Sequence, residues 1–150
     1  MAECPDILVC NRAMLIHFDG YSAALSFAKW GPRLLAPAGL PPDAAPMAPP
    51  AAIGPQHQAP AVAQAVADRL GLDAAAWRLV AGFDPWFSTA AGPLRVHLLR
   101  SDAFEPPKAA IEAQGGVFHP ISALRGSPRD ELGLAREVFN LIVGAGGGRA

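Results

Sequence analysis

Eight of the chain's 16 prolines fall between Ala36 and Pro60, in the stretch APAGLPPDAAPMAPPAAIGPQHQAP. Each proline removes a backbone donor and pushes the residue before it out of helical geometry, so no regular element can run through. Eight alanines fill much of the remainder, and Asp43 is the segment's only acid or base. Beyond Leu40, Met47 and Ile53 it has little to bury. Such a segment is expected to be a semi-extended linker or a surface strap. It separates an N-terminal piece, 1–35, from a body over 61–144 and a flexible Gly-rich tail, 145–150. A piece as short as 1–35 cannot enclose a core alone, so it must pack on the body or on a partner.

Within 1–35, the apolar runs Ile7–Cys10 and Met14–Phe18 read as a strand or ribbon, closed by the turn signal Asp19-Gly20. Ser22 can cap a helix running to Trp30, with Pro32 enforcing its end. In the body, Val62, Val66 and Leu70 recur every four residues between Pro60 and Gly71, which marks a helix. Asp73 can cap a short turn over 74–77. Arg78–Phe87 and Leu94–Arg100 are rich in β-formers and flank a turn over 88–92, the pattern of a hairpin. Glu105-Pro106-Pro107 opens a short helix to Gln114, and Val117–Ile121 reads as a third strand.

Ser127-Pro128-Arg129-Asp130 resembles a capping box at the head of a last helix that stops at Gly144. On that helix Arg129, Gly133, Arg136, Glu137 and Asn140 form one polar stripe, and the rest of the circumference is apolar. The order of elements predicts an α+β fold: a small, mainly antiparallel sheet with helices packed on one face.

The hairpin carries the one argument about chemistry. Centring its turn between Ala90 and Ala91 pairs residues whose numbers sum to 181. Leu79, Ala81, Phe83, Phe87, Leu94, Val96 and Leu98 then share an apolar face. The other face holds Val80, Gly82, Asp84, Trp86, Arg95, His97 and Leu99. Asp84 falls opposite His97 and Trp86 opposite Arg95, with Cβ atoms ~5 Å apart. An aspartate so placed would orient the imidazole and raise its pKa, as general bases require. Arg95, Trp86 and His119 of the next strand complete a candidate site for a small anionic ligand, with Asp84 and His97 as the catalytic pair.

Charge and motifs narrow the field. The formal net charge of −1 excludes the basic footprint of a nucleic-acid binder and the polybasic patch that recognises an anionic membrane. Arg outnumbers Lys ten to two, which reads as the codon bias of a GC-rich bacterial genome. Glu3 and Asp6 precede any base, so the start does not read as a secretory signal, and a cytoplasmic protein is expected. Two cysteines, Cys4 and Cys10, make no disulfide framework, and Cys10 is expected to be a buried thiol. No CxxC, HxxxH, HExxH, GxSxG, GxGxxG or P-loop spacing occurs, so neither metal nor cofactor is expected.

Two functions remain in contention. The first is a non-enzymatic accessory module that binds protein, most simply a homodimer, through Phe83, Trp86 and Phe87 at the hairpin and Leu134 and Leu141 on the last helix. The alternative is a small-molecule enzyme or ligand-binding protein using the Asp84–His97 pair with Arg95, its pocket lying between that sheet face and the N-terminal piece.

Overall fold

The computed structural model describes residues 6–103 and 105–144. The α+β class holds: a seven-stranded, mostly antiparallel sheet is packed with three α-helices. The strands are β1 (Asn11–Asp19), β2 (Ala24–Trp30), β3 (Ala45–Met47), β4 (Arg78–Leu79), β5 (Trp86–Thr89), β6 (Gly92–Ser101) and β7 (Gly116–Pro120). Their spatial order is β3-β5-β6-β1-β2-β7, with β4 also pairing β6. The helices are α1 (Ala59–Leu70), α2 (Lys108–Ala113) and α3 (Arg129–Ile142).

The N-terminal piece is the middle of the sheet. β1 lies parallel to β6 and antiparallel to β2, so the chain's first strand is clamped on both sides. The helix expected over Ser22–Trp30 is instead strand β2, and a turn through Ala23, with φ of 55°, joins it to β1. Leu25, Phe27, Ala28 and Trp30 are all buried there, and pairing with both β1 and β7 outweighs the local cap signal at Ser22.

Helical cover extends to both faces, where one was expected. Met14, Ile16 and Phe18 face α3, packing with Leu94, Val96, Leu98, Leu134, Ala135, Val138 and Ile142. Ala13 and Leu15 face the other way, among Val62, Val66 and Leu70 of α1 and Ile111 of α2. The unbroken apolar run Ala13–Ile16 is the reason: a central strand with two apolar faces needs a layer on each. Each helix contributes a single apolar stripe, and α3 leaves Arg136, Glu137 and Asn140 exposed.

The hairpin keeps the expected register only near its turn. Trp86 pairs Arg95 and Phe87 pairs Leu94, but further out Leu79 pairs Leu99. Between these pairs one strand advances seven residues and the other four, so three residues loop out. An odd number inverts the alternation. Leu79 therefore joins the α1 layer and Val80 the α3 layer, the reverse of the sequence reading. Gly82, at φ of 89°, and Pro85, which has no N–H, break the ladder there.

The proline-rich segment is a strap. It follows the buried Leu34 and Leu35, opens at the equally buried Ala36, adds β3 to the edge of the sheet, and ends in a single turn, Pro55–His57, against α1. Glu131 of α3, only 2% exposed, accepts hydrogen bonds from Leu34 N (2.8 Å) and Leu40 N (3.2 Å). This replaces the capping box: the Ser127 hydroxyl is buried without a hydrogen-bond partner, and Pro128 caps α3 with no side-chain bond. Asp130, the carboxylate expected to turn back on the helix, is exposed, and its neighbour Glu131 holds the strap.

Candidate functional site

Every polar group singled out on the hairpin lies on the α1 side of the sheet, and their neighbours come from distant segments. Asn11 opens β1, just after the short turn Ile7–Val9. Its Nδ2 donates to Ile7 O and to Gln56 O, both at 2.8 Å. Only an amide NH2 can face two carbonyls, so the orientation of Asn11 is determined and Oδ1 must point the other way. There it meets His57 Nδ1 at 3.1 Å and His97 Nε2 at 3.0 Å. Both ring nitrogens must therefore carry their protons and donate, which settles both tautomers.

Asp84 does not pair with His97. Its Oδ1 accepts from Trp86 Nε1 (3.0 Å) and from Arg95 Nε (2.8 Å) instead. Asp84 precedes β5 in the looped-out segment, so the cross-strand position opposite His97 is lost. Arg95 also donates from Nη1 to His57 O at 2.8 Å and lies 5.3 Å from the Trp86 ring centroid. The expected Trp86–Arg95 stack is thus present. His57 completes the cluster edge-on to Trp86, with centroids 4.8 Å apart.

The electrostatics follow from burial. His97 is 4% exposed, and burial, helped by the charge of Arg95 and by His57, pushes its pKa down to about 3. Burial and Arg95 also lower the pKa of His57. An acidic partner would have raised that of His97, whereas a neutral amide leaves desolvation to win. A base this weak is already deprotonated at neutral pH but has little affinity for a substrate proton. The cluster binds the strap and the N-terminal turn to the sheet, occupying the space between the polar hairpin face and the N-terminal piece.

The remaining candidates are dispersed. His119 is half-buried on β7 opposite Phe27, on the far side of β1 and β2 from His97. Phe83, Trp86, Phe87 and Leu134 are at most 5% exposed and belong to the interior, while Leu141 is half-buried against it. The looped segment folds Phe83 back under α3, which is why the hairpin aromatics do not reach the surface. Cys10 is half-buried rather than buried, with Sγ 3.5 Å from Ile7 O; Cys4 and the tail 145–150 lie outside the described residues.

Asn11 and His57 carry no motif. They stand 46 residues apart, and only the parallel pairing of β1 with β6 and the return of the strap bring them to His97. Among the described residues no group of three or more His, Cys, Asp or Glu is placed to hold a metal ion, and no helix is long and apolar enough to cross a membrane. No protein-family model and no curated protein matches the chain.

Proposed function

We propose that this chain is a non-enzymatic accessory module of the bacterial cytoplasm that acts by binding protein, in its simplest form a second copy of itself. The observation that carries this reading is the closure of the polar cluster. Asn11 engages both imidazoles, and Asp84 engages Trp86 and Arg95. Residues of catalytic type are consumed in holding the fold, which argues against the enzyme alternative.

The two edges of the sheet differ in a way that favours one as the contact. At the β3 edge, Pro46 sits mid-strand and cannot donate a ladder hydrogen bond. Among the described residues the β7 edge, Gly116–Pro120, pairs only with β2 and carries Val117, 48% exposed at the opposite end from Pro120. Among the described residues no lysine, acid or bulge protects the stretch Gly116–His119, and edges left open in this way can pair with other chains. Size-exclusion chromatography with light scattering tests this. The native chain should run at twice its 15.6 kDa mass, and Val117→Lys should halve that value. A native species of 15.6 kDa at high micromolar concentration would remove self-association from the proposal.

A further inference from the structure

A second cluster of charge lies at the far end of β6, away from His97. Arg78 of β4 and Arg100 of β6 are directly opposed across the sheet. Like charges in that position repel, and such a pair is a cost to the sheet unless something offsets it. A single carboxylate does so in part. Asp102 Oδ2 accepts from Arg78 Nε at 2.7 Å, and Oδ1 accepts from Arg100 Nε at 2.6 Å. The group keeps a net positive charge.

The manner of sharing matters. Asp102 uses only the Nε atom of each guanidinium, and among the described residues neither Arg78 nor Arg100 makes a hydrogen bond through Nη1 or Nη2. The Arg100 side chain is 11% exposed, with its guanidinium carbon 4.9 Å from the Phe18 ring centroid, so its orientation is held from two sides. Arg78, 58% exposed, lines the same space. Arg78, Arg100 and Asp102 line a cleft of about 310 Å³ with Ala75, Ala76 and Trp77. Asp19 lines the adjoining cleft beyond Asp102, where its charge would turn an anion back toward the arginines.

We propose that this cleft binds the phosphate group of a small ligand, held between the terminal nitrogens of Arg78 and Arg100. The geometry selects the class. One guanidinium fork fills both oxygens of a carboxylate, whereas a tetrahedral dianion has oxygens enough for two forks. Arg95 is less suited to this part, because Asp84 and the His57 carbonyl already engage its Nε and Nη1.

The test follows the Nε–H signals of Arg78 and Arg100 by ¹⁵N NMR in the full chain. Inorganic phosphate is titrated against sodium chloride and sodium acetate at matched ionic strength. Phosphate should shift both signals saturably, and Arg78→Gln should weaken the affinity at least tenfold. Arg78→Lys should weaken it too, since an ammonium keeps the charge but loses the fork. Thermal melts of the variants establish that they are folded. Identical responses to phosphate and chloride would overturn the site, as would unchanged affinity in folded Arg78→Gln. Acetate binding as tightly as phosphate would overturn the assigned ligand class.

Discussion

Acid should begin to destabilise this protein as pH falls through about 6.5, and His97 supplies the reason. In the folded chain its pKa lies at about 3, against an ordinary value of 6.5. As pH falls through 6.5 the unfolded chain takes up a proton that the folded chain refuses. Stability is therefore complete above the unfolded value and declines toward the folded one, where the loss levels off. At pH 5 the protonated form of an unfolded imidazole outweighs the neutral form about thirty-fold, worth about 2 kcal/mol. The full loss near pH 3 approaches ~5 kcal/mol, a large part of a typical domain's stability.

His57 is lowered in the same direction and adds to the decline. Asp6 and Asp102 are also lowered, from 3.8, but their contributions are lost only at more acid pH. Urea unfolding followed by tryptophan fluorescence at pH 7.5 and pH 5 isolates the histidines. The native chain should lose about 2 kcal/mol or more across that interval. His97→Gln keeps an N–H for Asn11 but cannot titrate, so most of the pH dependence should vanish even if its stability at pH 7.5 is lower. Equal losses in the native chain and in His97→Gln would refute the reasoning.

Two further substitutions probe how the strap and the open sheet edge are held. Glu131→Gln keeps one acceptor for the Leu34 and Leu40 amides but removes the charge from a buried site, and should cost about 2 kcal/mol in urea unfolding. If it cost less than about 0.5 kcal/mol, the Glu131 hydrogen bonds would not be what holds the strap. Gly116→Ala would place a methyl group 2.6 Å from Trp30 Nε1 and 2.8 Å from Ile111 Cγ2. Overpacking of that kind should cost 1–3 kcal/mol, roughly, and a melt unchanged from the native chain would show that β7 shifts freely to accommodate it.

Local pattern carried much of the architecture. The spacing of Val62, Val66 and Leu70 located α1, the long apolar periodicity after Pro128 located α3, and the turn near Ala90 located the β5–β6 hairpin with Trp86 opposite Arg95. These features rest on contacts between residues close in sequence, where period and turn chemistry act directly. Prolines likewise excluded regular structure from most of the strap, independently of its surroundings.

Tertiary structure decided the rest. Ser22–Trp30 has a helical start and stop, yet two flanking strands make it β2. Asp84 stood opposite His97 only while the ladder was continuous, and the loop containing Gly82 and Pro85 removed it. His97 acquired Asn11, 86 residues away, because β1 and β6 run parallel, a pairing with no local signature. The strap, legible from its prolines as a segment without regular structure, is tied down by a carboxylate from the last helix and an imidazole against β1. Proline determines what the backbone cannot do, but the partners that order such a segment come from parts of the chain that only folding brings near.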